Sequence, residues 1–198
     1  MKRLLFIAAL ALMMGAAQES MAQQRKTTVR KSAVKRTTAS KNAVKKAVTP
    51  PVTITIDDPV IVDGCVAFLG IPVNQSPDDI EKQVKAKGFV DKMEYGFNWL
   101  VGTAFGTQMK MFVEAEGGVT AREVKAYTFS QAKNRVNAYK KAFVQATGGK
   151  SSDDCMGCQD GGGTTIETVG GTIEIRYYNQ DEVNFESKYY DIVVSFSK

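Results

Sequence analysis

Histidine is absent from all 198 residues of the chain. Its absence removes the commonest general base, the Ser-His and Cys-His nucleophile pairs, and the commonest metal ligand. Cysteine is scarce, with Cys65, Cys155 and Cys158 alone, so a structural zinc would have only one ligand beyond the Cys155-Met156-Gly157-Cys158 motif. Gly161-Gly162-Gly163 lacks the Lys-Ser/Thr that a phosphate loop requires. Asp153, Asp154 and Asp160 do not have the spacing of an EF-hand loop. Carboxylates also occur as the adjacent pairs Asp57-Asp58 and Asp78-Asp79, the first suited to a turn before Pro59 and the second to a helix start. No catalytic, cofactor or metal site is expected on these grounds.

Long apolar runs are also missing, except at the beginning. Lys2 and Arg3 precede an uncharged apolar stretch from Leu4 to Ala17, and Ser20-Met21-Ala22 supplies small residues before Gln23. This order is that of a cleavable secretory signal peptide over residues 1–22. The run is shorter than the ~20 residues needed to cross a bilayer as a helix. The expected destination is the periplasm, the outer surface or the medium.

Acidic residues are missing from Gln23 to Ile56, where nine basic ones occur: Arg25, Lys26, Arg30, Lys31, Lys35, Arg36, Lys41, Lys45 and Lys46. The formal net charge of +5 therefore conceals a division, because the chain from Asp57 onward has fifteen basic and twenty acidic residues. Thr, Ala, Ser and Val fill most of the basic stretch in a loose five-residue rhythm, which builds no apolar face. Residues 23–51 are accordingly expected to form a disordered arm. Such an arm is either a solvated spacer or a tether to an anionic surface, where each Lys or Arg contributes roughly 1 kcal/mol. Export disfavours nucleic acid as its partner.

The remainder, 52–198, is long enough for a single domain with its own core. Ser76 is suited to cap a helix, Pro77 to open it and Asp78-Asp79 to its first turn, with Gly88 as the stop. A second helix is expected from Ser130 to Gly148, with Ala132, Val136, Tyr139 and Phe143 on one stripe. Period-2 alternation predicts strands at 109–113, 172–177 and 189–196, and weaker ones at 52–56, 65–70, 99–106, 120–129 and 164–169. The order of these elements points to an α+β fold. It would contain two α-β-β-β units sharing one antiparallel sheet, with both helices packed on one face and an insertion around 148–163.

Phe68-Leu69-Gly70-Ile71-Pro72, the following helix, and Lys87-Gly88-Phe89 resemble a family of small secreted proteins of Gram-negative anaerobes. That family opens F-x-G-I-P and has no established activity, so the resemblance implies export and a fold but no functional residue. The layout is also similar to β-lactamase-inhibitor-like folds, a likeness that does not transfer function.

Two side-chain groups remain as candidates. Trp99, with Phe97 close by, is either core or, if the helices leave one sheet face uncovered, a binding surface. Cys155 and Cys158 are the expected disulfide. A Cys65–Cys155 bridge closing about 90 residues would stabilise more, roughly 4–5 kcal/mol against about 2, but the CxxC pair is always within reach. Cys65, beside Val66, Ala67 and Phe68, suits a small buried hydrophobe. The expected function is an exported, non-enzymatic envelope or secreted module that binds a macromolecule: a protein, an anionic envelope polymer or a membrane surface. The alternatives are a structural envelope component held by its basic arm, and a small exported enzyme using carboxylates or the CxxC pair.

Overall fold

The computed structural model describes residues 52–181, 183 and 187–198, which all fall within one compact unit. The expected signal peptide and the nine basic residues of the arm lie outside the described residues.

Three short strands come first: β1 (Ile61–Val62), β2 (Cys65–Phe68) and β3 (Ile71–Pro72). They form a small antiparallel sheet of their own. Then follow α1 (Pro77–Ala86), β4 (Val90–Glu94), β5 (Phe97–Ala104), β6 (Thr107–Val113) and β7 (Val119–Glu123). The second series is α2 (Phe129–Thr147), β8 (Lys150–Asp154), β9 (Gly161–Thr168), β10 (Gly171–Asn179) and β11 (Tyr190–Ser197). The large sheet has the order β4-β5-β6-β7-β11-β10-β9-β8 and is antiparallel at every junction. Each helix is thus followed by a meander of four strands, one more than expected, and the meanders join through their last strands, β7 and β11.

The two additional strands are the outermost ones. The β4 strand was not anticipated, and β8 occupies part of the expected insertion. Each has at most one neighbour in the sheet, and nearly all their residues are exposed, so neither shows the half-buried alternation that marks an interior strand. At 52–56, conversely, no strand forms. Ile54 and Ile56 pack against the core, but the backbone makes a single hydrogen bond to the large sheet's chain, Thr55 N–H to the Phe105 carbonyl at 3.4 Å.

Ser76 caps α1, its hydroxyl accepting the Asp79 N–H at 3.2 Å, and Asp78 and Asp79 occupy the first turn. The cap of α2 is Thr128, two residues ahead of the expected Ser130, and the Gln131 side chain accepts the Thr128 N–H at 3.0 Å. Four hairpins, β1–β2, β2–β3, β4–β5 and β5–β6, turn through Asp63-Gly64, Leu69-Gly70, Tyr95-Gly96 and Phe105-Gly106, each pair at positive φ as in a type I′ turn.

Register determines which side of the large sheet is covered. Leu100, Met111, Ala121, Val194, Ile175 and Thr164 align across six strands and are all buried or nearly so. Against this face pack Ile80 and Val84 of α1, the stripe Ala132, Val136, Tyr139 and Phe143 of α2, and Phe68 of β2, all in one apolar core. Phe105 stands at its centre, with ring centroids 5.3–6.0 Å from Phe68, Tyr139, Phe143 and Phe196. A bulky residue at φ 54° is unfavourable in isolation, so this packing must over-determine the turn.

Candidate functional site

The opposite face of the large sheet is built from the intervening residues. One cross-strand row runs Lys92, Trp99, Phe112, Thr120, Ser195, Glu174, Thr165, Ser152, and the next contains Val101, Lys110, Arg122, Val193 and Arg176. Trp99 and Phe97 both lie on this face. Phe97 is 70% exposed and Phe112 40%, while Trp99 is half-buried between its neighbours. The Trp99 and Phe112 rings meet edge-on at 5.7 Å, and the Lys110 ammonium stands 5.0 Å from the Trp99 ring centroid. With Asn98 the three rings line a shallow apolar depression of about 420 Å³.

Charge on this face is organised in pairs. Lys110 Nζ lies 2.7 Å from a Glu94 carboxylate oxygen, and Lys92 is a second cation beside it at 3.7 Å. The Lys110 contact holds the Glu94 carboxyl below the usual carboxylate range. Arg122 pairs with Asp191, and Arg176 with both Glu174 and Asp154. Between the first two groups lies a polar cavity of about 250 Å³ lined by Lys92, Glu94, Lys110, Arg122 and Asp191 among others. Each of these acids faces a cation at short range, an arrangement suited to hydrogen bonding a polar ligand rather than to proton transfer.

Asp57 and Asp58 line a cavity of about 250 Å³ together with Lys87, and neither Asp78-Asp79 nor Asp153-Asp154 lines it. Asp58 accepts from Lys87 Nζ at 2.7 Å, and Asp79 accepts from the Ser76 hydroxyl at 2.7 Å. Asp153 faces Lys140 of α2 while Asp154 faces Arg176 on the other side of the sheet, because neighbours on a strand point to opposite faces. Among the described residues no group of three or more His, Cys, Asp or Glu could hold a metal ion.

Cys155 and Cys158 are at disulfide distance, with Cα atoms 5.4 Å apart. The Tyr177 hydroxyl reaches both carbonyls of the turn, at 3.2 Å from Cys155 O and 3.0 Å from Cys158 O. The glycine run beneath it serves close packing: a Cβ on Gly162 would overlap the Cys155 carbonyl, and one on Gly163 the Ile175 carbonyl. Cys65 is buried and free. It sits against Gly170, beyond the far end of β9 from Gly162, and an eight-residue strand spans about 26 Å. That separation far exceeds the Cα distance of about 4.4–6.8 Å a disulfide needs, so the long Cys65–Cys155 bridge is excluded by geometry.

One group escaped the sequence reading. Glu123, 1% exposed at the end of β7, accepts from Arg135 Nε at 2.7 Å, from the Tyr139 hydroxyl at 2.6 Å and from the Tyr127 hydroxyl. Burial, reinforced by the Glu123 charge, pushes both phenols well above their ordinary range. The available signal was parity: Glu123 shares the face of Val119 and Ala121, both buried. No protein-family model matches the chain, and no curated protein or solved structure does.

Proposed function

We propose that the chain is an exported, non-enzymatic module that binds a macromolecule through the open face of its eight-stranded sheet, at the Phe97–Trp99–Phe112 corner. The observation that supports this reading is the one-sided packing of the fold. Both helices and the small sheet cover the same face, and the opposite face combines an aromatic depression with ordered ion pairs. Aromatic side chains that remain half exposed offer large contact area at little cost in side-chain entropy, which suits recognition better than folding.

Trp99 is the only tryptophan, so its fluorescence reports this corner alone. Titration with soluble anionic envelope polymers and with envelope proteins should shift its emission, and Phe97→Ala with Phe112→Ser should weaken the interaction at least about tenfold. Binding that survives this double substitution unchanged places the site elsewhere. Export itself is tested by the mass of the protein recovered from outside the cytoplasm, which should begin at Gln23.

A second reading follows from the basic arm, which contains nine cations and no acid. If the arm tethers the domain, anionic vesicles should retain the chain at low salt and release it as screening shortens the reach of its charges. Removal of 25–48 should abolish retention.

A further inference from the structure

Exposed apolar side chains are concentrated at one end of the large sheet. Of the ten large hydrophobic side chains most exposed among the described residues, five belong to β4, its turn into β5, β5 or β6: Val90, Met93, Tyr95, Phe97 and Phe112. A patch of this kind marks an interaction site rather than the scatter of a normal surface. Its distribution over the two faces defines the shape of the occupant. Val90 lies opposite Val101 on the open face, whereas Met93, 69% exposed, lies opposite Asn98 on the helix side. A ligand resting on the open face would leave Met93 in water. An added strand, whose own side chains alternate, would cover both.

The two edges of the sheet also differ in apolar content. At the opposite end, β8 reads Lys-Ser-Ser-Asp-Asp, with every residue exposed, a composition that discourages edge-to-edge pairing. The β4 strand, Val-Asp-Lys-Met-Glu, has as many charges, three of five, but it adds the exposed apolar side chains of Val90 and Met93, and among the described residues no strand pairs with its outer edge.

We propose that β4 is a self-pairing edge, through which two copies of this chain join antiparallel about a two-fold axis into a continuous sixteen-stranded sheet. The charges choose the register. A two-fold pairing that keeps the faces aligned must be centred on a single residue. Centring on Asp91, Lys92 or Glu94 sets like charges directly opposite, which is destabilising. Centring on Val90 would leave Met93 and Glu94 facing the end of α1 rather than a strand. Centring on Met93 instead places Lys92 opposite Glu94 of the second copy, twice, and the two Met93 side chains against each other. The contact is isologous and closes on itself, so it yields dimers and not filaments. The aromatic corners of both copies then lie on one face, on either side of the axis. This inference is independent of the binding reading above, since it concerns the strand edge and needs no ligand.

Sedimentation equilibrium of the purified chain, over a series extending to millimolar concentration, should show a reversible monomer–dimer equilibrium. Lys92→Glu should weaken the dimer about tenfold by setting acid against acid, and adding Glu94→Lys should restore it. In Met93→Cys the new thiols meet across the axis and should form a covalent dimer on mild oxidation, Cys65 being buried and the other two cysteines paired. Met93 is exposed, so an unchanged melting curve confirms that the variant folds. A monomer at every concentration overturns the proposal, and so does a dimer that Met93→Cys fails to cross-link.

Discussion

Arg135 of α2 donates its Nε–H to the buried carboxylate of Glu123, 2.7 Å away at the end of β7, with side chains 11% and 0% exposed. The pair fixes the start of the second helix to the last strand of the first meander. Tyr127 and Tyr139 donate two further hydrogen bonds, so protein fills three of the carboxylate's roughly four acceptor positions.

Glu123→Gln should therefore be costly despite its near-identical shape. It leaves a buried guanidinium without its counter-charge, which typically costs about 3–5 kcal/mol. Thermal unfolding should move down by roughly 10–15 °C. Adding Arg135→Met should recover part of the loss, because the stranded charge is then gone, and a double-mutant cycle measures the coupling.

Alkaline stability follows from the same cluster. Tyr127 and Tyr139 have folded pKa values raised above the unfolded value of about 10, chiefly by burial and then by Glu123. Below that pH both states hold the phenol proton and the groups have no effect. Above it the unfolded chain ionises while the fold does not, so stability is lost as pH rises, at up to about 2.7 kcal/mol per pH unit for two phenols. Chemical denaturation at successive pH values should show this decline from about pH 10, shallower in Tyr139→Phe. Early appearance of both phenolates before unfolding contradicts it.

These residues also show what was legible in the sequence. The α1 boundaries follow from Ser76, Pro77 and Gly88, and β6, β10 and β11 from their alternation, because both signals are local and repeat the geometry they produce, whereas the weaker strand expected at 120–129 ends at Glu123. The edge strands β4 and β8 were invisible because their order comes from a partner, through pairs such as Lys92–Trp99 and Asp153–Thr164, and not from burial of one face. Trp99 was ambiguous for a related reason: alternation gives the strand but not which face the helices cover. Glu123 was missed because a lone acid in a strand reads as solvent-facing until its three partners, two of them on a helix, are brought to it.

The Cys155–Cys158 link should matter modestly. It closes so short a loop that the chain-entropy gain is about 2 kcal/mol, and the Tyr177 hydroxyl also holds both carbonyls of the turn. Replacing both cysteines with serine should lower stability by no more than about 2 kcal/mol and leave the fold intact. Non-reducing peptide mapping should show Cys65 as a free thiol that reacts with alkylating agents only after denaturation, since it is 5% exposed.

Gly102 tests the packing of the first meander most directly. It lies on the covered face of β5 opposite Met109, and a Cβ there would stand 2.5 Å from the ring of Phe89, which is itself 2% exposed just before β4. The ring cannot retreat without disturbing Phe68, whose centroid is 6.1 Å away. Gly102→Ala should thus destabilise by about 1–3 kcal/mol through overpacking, although alanine is otherwise the better strand residue. Phe89→Leu alone should also destabilise, by opening a gap beside Phe68. Together the two should cost less than the sum of their separate effects, because the methyl fills space the smaller side chain vacates. Denaturant midpoints measured with an unchanged slope would give these energies directly, and strict additivity would show that Phe89 is not what holds residue 102 to glycine.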